Sequence, residues 1–204
     1  MRQSAGPEHR RLHAFLISTS IVALAEIGDK TQLLAFILAA RFRRPLPIAC
    51  AILVATALNH AAAGALGAWL TDLATPSTLR WILGLSFIAM ALWTLVPDKF
   101  AAEDAPVGVG TGGVFVTTLV AFFVAEMADK TQFATIALAA RFDAVVAVVA
   151  GTTCGMMLAN LPAVYFGERL AAWMPVRLVH MLAAGLFAAL GSATLLGAGA
   201  SLGF

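Results

Sequence analysis

The chain has 204 residues, of which 61% are hydrophobic and only 12% are charged, and its mean hydropathy is +0.90. Soluble domains are about one quarter charged, so this composition excludes an ordinary soluble protein and predicts an integral membrane protein. The net charge is only +2, from 13 basic and 11 acidic residues, and the basic residues are scattered at loop ends, so we expect no nucleic-acid partner.

The apolar runs are long and continuous, which predicts membrane-spanning helices, because a helix satisfies its own backbone groups in the bilayer. The basic N-terminal tail resembles the start of a signal peptide, but the run that follows is too long and carries acidic residues, so we interpret it as a retained span. Six spans are predicted in chain order: Ala14 to Ala40, Leu46 to Leu70, Leu79 to Val96, Val114 to Ala140, Ala144 to Gly167, and Leu178 to Leu196.

One polar stretch occurs twice at a spacing of one hundred residues. Residues 25–32 read AEIGDKTQ and residues 125–132 read AEMADKTQ, and 11 of the 18 positions from 25 to 42 are identical at this offset. Weaker matches continue through the later spans, which predicts a duplicated three-helix unit at 1–96 and 114–204, with a glycine-rich linker at 97–113. Because three spans is an odd number, the two units are expected to form an inverted repeat.

Each copy of the stretch places ionisable side chains inside an apolar span. Residues three and four apart share a helix face, so Glu26, Asp29 and Lys30 are expected on neighbouring positions of one helix. The second copy repeats this set as Glu126, Asp129 and Lys130. If the inverted halves bring both sets together, four carboxylates and two lysines leave a formal charge of −2, which one divalent cation or two protons would neutralise.

A charge at the centre of a bilayer costs roughly 2.5 to 3.5 kcal/mol, so six of them favour a functional ion site. The structural alternative, in which lysine–carboxylate pairs join helices, accounts for only two of the four carboxylates. Carboxylate oxygens are hard ligands that suit Mn²⁺, Ca²⁺ or Mg²⁺. Glycine at Gly28 either lets the first span unwind or serves close packing, and both interpretations remain open.

Other polar residues in the spans have either a supporting role at the ion site or a role in joining helices. The sequence does not choose between these roles. They are Thr31, Gln32, Thr131 and Gln132 in the two stretches, with Asn59, His60 and Asn160 in the second and fifth spans. A single histidine is too little to indicate a transition-metal site, and nothing indicates a prosthetic group.

The doubled Glu-x-Gly-Asp-Lys-Thr-Gln motif, in a six-span chain of this length, resembles the manganese/calcium:proton exchanger family, also called calcium/cation antiporter-2. The resemblance implies a secondary transporter that exchanges Mn²⁺ or Ca²⁺ for protons, with the lipid bilayer as its other partner. It assigns the cation and proton site to Glu26, Asp29, Glu126 and Asp129, with Lys30, Thr31, Lys130 and Thr131 completing the motifs. Ala128 stands where the family pattern has glycine, so the two half-sites are expected to be inequivalent. The compact length indicates a bacterial inner membrane.

Two alternatives stay open at the level of sequence. An intramembrane aspartyl hydrolase would use Asp29 and Asp129 as a dyad that shares one proton, but it gives no role to the repeated Lys-Thr-Gln. A passive cation channel is disfavoured by the two lysines near its centre. The sequence does not choose between Mn²⁺ and Ca²⁺, and it leaves the stoichiometry, the membrane orientation and the oligomeric state open.

Overall fold

The computed structural model describes residues 7–96, 113–127, 129–166 and 175–197. All regular structure in these ranges is α-helical, which confirms the predicted all-α class. The helices are α1 (Pro7–Glu26), α2 (Lys30–Phe42), α3 (Pro45–Leu73), α4 (Pro76–Thr94), α5 (Gly113–Glu126), α6 (Lys130–Phe142), α7 (Val145–Phe166) and α8 (Val176–Leu195). Of these, α3, α4, α7 and α8 are long and apolar enough to cross a membrane, and α5 is a shorter apolar helix. The predicted linker lies outside the described residues, apart from Gly113, which begins α5.

Each motif divides its predicted span into two helices. In the first half, α1 ends at Glu26 and α2 begins at Lys30, with Gly28 between them at a φ of +81°. That φ is accessible to glycine at little cost, so Gly28 is where the helix unwinds. The expectation that Glu26, Asp29 and Lys30 lie on one continuous helix is therefore wrong. Asp29 instead has an extended backbone, with φ −77° and ψ 166°, and precedes the first turn of α2.

The second half breaks at the same place. α5 ends at Glu126, α6 begins at Lys130, and Asp129 has φ −80° and ψ 162°. Ala128, the position at which inequivalent half-sites were predicted, lies outside the described residues. At their far ends, α2 and α6 are followed by left-handed residues, Arg43 and Asp143. The backbone N–H of each donates to the carbonyl of the alanine four residues before it.

The helices of one half pack against those of the other. α1 and α2 pack on α7, while α5 and α6 pack on α3, and α4 lies along α8. Phe87 of α4 and Phe187 of α8, which are one hundred residues apart, are fully buried and stack on each other with ring centroids 6.4 Å apart. Equivalent residues therefore meet each other at the contact between α4 and α8.

Two glycines allow α1 to approach α7 closely. A Cβ at Gly151 would lie 2.5 Å from the carbonyl oxygen of Phe15, and a Cβ at Gly155 would lie 2.6 Å from that of Thr19. The close approach lets the Thr19 hydroxyl donate to the Gly151 carbonyl at 3.0 Å. This contact holds α1, and therefore Glu26 at its end, against the opposite half of the molecule.

Candidate ion-binding site

The interruption between α1 and α2 (the first break) lies next to the interruption between α5 and α6 (the second break), and two ion pairs join them. Lys30 Nζ of the first motif lies 2.7 Å from Asp129 Oδ1 of the second. Lys130 of the second motif pairs in turn with Asp29 of the first. Each lysine begins a helix and each aspartate immediately precedes one, so the paired breaks bring both motifs into one buried cluster.

The two glutamates are fully buried beside these pairs. The Thr31 hydroxyl donates to Glu26 Oε2 at 2.7 Å, and the Thr131 hydroxyl donates to Glu126 Oε2 at 3.2 Å. Among the described residues, the other oxygen of each glutamate, Oε1, has no hydrogen-bond partner, and the same holds for Oδ2 of Asp129. Unpaired carboxylate oxygens are costly in a buried site, so they indicate a position where a proton or a cation is held.

Three carboxylates are arranged as a cation site. One oxygen from each of Glu26, Glu126 and Asp129 lies within 4.8 Å of the others. A cation that binds oxygen at about 2.3 to 2.6 Å can bridge oxygens separated by this distance. Asp29 is outside this group of three, although the Thr31 hydroxyl links it to Glu26, lying 3.5 Å from Asp29 Oδ2 and 2.7 Å from Glu26 Oε2.

The site is more open on one side than on the other. The Lys30 side chain is 28% exposed, whereas that of Lys130 is 1% exposed, and their aspartate partners are both buried. The Lys130–Asp29 pair is therefore inside the protein, whereas the Lys30–Asp129 pair lies at the side where the site approaches the protein surface. The two repeated motifs therefore have different surroundings in this conformation.

Of the residues predicted to support the site, Gln32 has a defined structural role. Its side-chain oxygen accepts the Gly28 N–H at 2.8 Å, and its Nε2 donates to the Ala159 carbonyl at 2.7 Å. Gln32 thus fixes the first break and joins it to α7. Gln132 is partly buried in the first turn of α6.

The remaining supporting candidates lie outside the group of three carboxylates. Asn59 Nδ2 donates to the Phe123 carbonyl at 3.1 Å, which joins α3 to α5 one turn before Glu126. Asn160 Nδ2 donates to the Met156 carbonyl at 3.0 Å within α7, and its side-chain oxygen has no partner among the described residues. His60 is fully buried, and neither ring nitrogen has a hydrogen-bond partner in the described part of the chain.

One contact at the first break was not predicted from the sequence. His180 Nε2, in the first turns of α8, lies 2.7 Å from the carbonyl oxygen of Ile27. The repeat pattern contained no signal for this contact, because the residue one hundred positions earlier is Arg80.

A helical membrane protein with a buried ionic cluster built from two repeated motifs has the architecture of an ion transporter. The profile of one family, described as "Divalent cation/proton antiporter GDT1", matches residues 14–102 and 114–201, and the chain belongs to this family. It is therefore a membrane transporter and not an enzyme. The gap between the matched segments falls within the predicted linker.

Similar proteins match most of the chain. A protein of Vibrio cholerae named "Putative manganese exporter" is 47% identical over 189 residues, which cover 92% of this chain and 93% of that protein. A GDT1-like protein of Synechocystis sp. is 31% identical and covers 86% of this chain and 93% of its own length. A chloroplastic GDT1-like protein of Oryza sativa is 34% identical over half of this chain and 29% of its own. No solved structure gave a significant match.

Proposed function

We propose that the protein exports Mn²⁺ across a bacterial inner membrane in exchange for protons. Glu26, Glu126 and Asp129 are the cation ligands, and Asp29 contributes to the same site from beside Thr31. The observation that carries this proposal is the set of three buried carboxylate oxygens that have no hydrogen-bond partner among the described residues. Manganese is the substrate suggested by the Vibrio cholerae relative, and an all-oxygen ligand set suits Mn²⁺, with Ca²⁺ as the second candidate.

Coupling follows from competition for the same oxygens. The two ion pairs occupy Asp29 and Asp129, so both glutamates need a further positive charge. Either one divalent cation or two protons supplies that charge. Both together would give the site an excess of positive charge. A carrier that changes its accessible side only when the site is neutral therefore moves Mn²⁺ one way and protons the other.

Six spans in two inverted three-helix repeats are part of this proposal. In this arrangement each predicted motif-bearing span consists of a helix pair, α1 with α2 and α5 with α6. Three observations support a two-fold relation between the halves: the reciprocal ion pairs, the bounds of α2 and α6, which match at an offset of one hundred residues, and the stacking of Phe87 on Phe187. Rocking of one half against the other would then expose the shared site to each side in turn.

The alternative functions fit the site less well. A hydrolase dyad needs two aspartates that share a proton, whereas Asp29 and Asp129 are each paired with a lysine of the other motif. A passive cation channel is disfavoured by the buried Lys130 beside the carboxylates, because its positive charge repels a passing cation.

The test uses purified protein in liposomes with a trapped Mn²⁺ indicator and an imposed pH gradient. We expect Mn²⁺ flux that follows the gradient and is lost in Glu26→Gln and Glu126→Gln. Glu8→Gln, the same change at an exposed position of α1, is the matched control and should transport normally. Flux that ignores the pH gradient, or that persists in both glutamine variants, would reject the proposal.

A further inference from the structure

The first turns of α8 pack directly on the first break. A Cβ at Gly28 would lie 2.4 Å from Cγ1 of Val176, the first residue of α8. One turn later, the buried ring of His180 reaches the backbone of Ile27, with Nε2 2.7 Å from the carbonyl oxygen. The carbonyl can only accept, so the His180 Nε2–H is the donor.

This hydrogen bond satisfies a carbonyl that the break removes from the helix. Ile27 lies between the end of α1 and the start of α2, where the regular helical hydrogen bonds are interrupted. Across the same turn, the Asp29 N–H donates to the Glu26 carbonyl at 3.0 Å. The orientation of the Ile27 peptide is thus set together with that of Glu26 on one side and Asp29 on the other.

The second break differs from the first in the described part of the chain. The position equivalent to His180 is Arg80, which is exposed near the start of α4. Met127, the equivalent of Ile27, has a side chain that is 57% exposed, whereas that of Ile27 is partly buried. The contact from α8 is therefore a feature of the first half, which also contains the fully enclosed Asp29.

We propose that His180 is a positioning residue of the exchanger, acting through the Ile27 carbonyl. By holding the Ile27–Gly28 turn against α8, it keeps Glu26 directed at Glu126 and Asp129. The role belongs to the Nε2–H donor, and it requires no charge on the imidazole. The effect on transport rests on the proposed exchange of Mn²⁺ for protons, whereas the effect on the backbone of the first break does not.

The experiment compares His180→Leu, which removes the donor, with His180→Gln, whose amide nitrogen can occupy the position of Nε2. Initial Mn²⁺ flux in liposomes gives the apparent KM and the maximal rate. We expect His180→Leu to raise the apparent KM about tenfold with a smaller effect on the maximal rate, because groups that orient ligands typically change metal affinity by about 10- to 100-fold. His180→Gln should recover most of this loss and keep the wild-type pH profile. Arg80→Leu is the matched control at the equivalent position and should behave as the unmodified protein.

A second measurement does not depend on transport. Hydrogen–deuterium exchange of the protein in lipid nanodiscs, without Mn²⁺, should become faster at residues 27–33 in His180→Leu and remain unchanged at 129–133. Equal acceleration in both segments would indicate general destabilisation and overturn the proposal. It is also overturned if His180→Gln behaves like His180→Leu, or if neither variant alters exchange at 27–33. If even the unmodified protein moves no Mn²⁺, the proposed function fails, and exchange at 27–33 still decides the positioning role.

Discussion

Lys30 pairs with Asp129 of the opposite motif, with 2.7 Å between Nζ and Oδ1. The reciprocal pair joins Lys130 to Asp29. Both halves therefore contribute to the site, because each aspartate pairs with the lysine of the other motif. In the proposed exchange, both glutamates are then left to bind protons or the cation.

The two ion pairs should contribute unequally to stability. Lys130→Met removes the cation beside the fully buried Asp29, and breaking a buried pair in this way costs about 3 to 5 kcal/mol of the free energy of unfolding. Lys30→Met should cost less, because water already reaches the Lys30 side chain, which is 28% exposed. Thermal unfolding in a single detergent measures both variants. Equal losses would contradict the asymmetry of the two pairs.

The loss in Lys130→Met should be partly recovered by changing its partner. In Asp29→Asn/Lys130→Met the uncompensated carboxylate is gone, so the double variant should be more stable than Lys130→Met alone. The same unfolding assay measures the difference. A double variant that is less stable than both single variants would show that Lys130 does not stabilise the protein by pairing with Asp29.

Mn²⁺ binding should weaken as the pH falls. In the proposed exchange, protons and Mn²⁺ compete for the glutamate oxygens, so the apparent affinity should rise with pH by up to about tenfold per unit for each proton displaced. Calorimetric titration of the purified protein with Mn²⁺ at several pH values between about 5.5 and 8 gives this slope. Glu126→Gln should reduce the slope, since one titrating ligand is lost. An affinity that does not change with pH would exclude proton competition at the site.

Gly28→Ala should destabilise the first break. The alanine would have to adopt a φ of +81°, and its Cβ would lie 2.4 Å from Val176 Cγ1. The left-handed conformation alone costs about 1 to 2 kcal/mol, to which the clash with α8 adds. Gly185→Ala is the control, because a Cβ there meets nothing within 4 Å and alanine favours the helix. A Gly28→Ala protein with unchanged thermal stability and flux would show that the unwound turn is not required.

Gly155→Ala should separate α1 from α7. The added Cβ would lie 2.6 Å from the Thr19 carbonyl oxygen, and backbone at this position cannot move aside cheaply. We expect a loss of about 1 to 3 kcal/mol, as for other overpacked sites, and a lower thermal midpoint. An unchanged midpoint would indicate that α1 and α7 accommodate the added methyl group without separating.

Most residues of the candidate site were predictable from the sequence. The repeat identified both glutamates, both aspartates and both lysines, because charged side chains are costly inside apolar spans and therefore indicate a functional site. Their arrangement was less predictable. The residue spacing predicted Glu26, Asp29 and Lys30 on one helix, but Gly28 interrupts that helix. The sequence alone left open whether this glycine served unwinding or packing.

The sequence by itself determined the class of the protein: its apolar composition requires a membrane, and its doubled acidic motif predicts a transporter of an ion that neutralises surplus negative charge. The tertiary structure alone decided which charges pair. It joined Lys30 to Asp129, kept Asp29 outside the group of three carboxylates, and brought His180 to the Ile27 carbonyl. The physical reason is that pairing depends on distances through space between different helices, and the spacing of residues along one chain does not contain those distances.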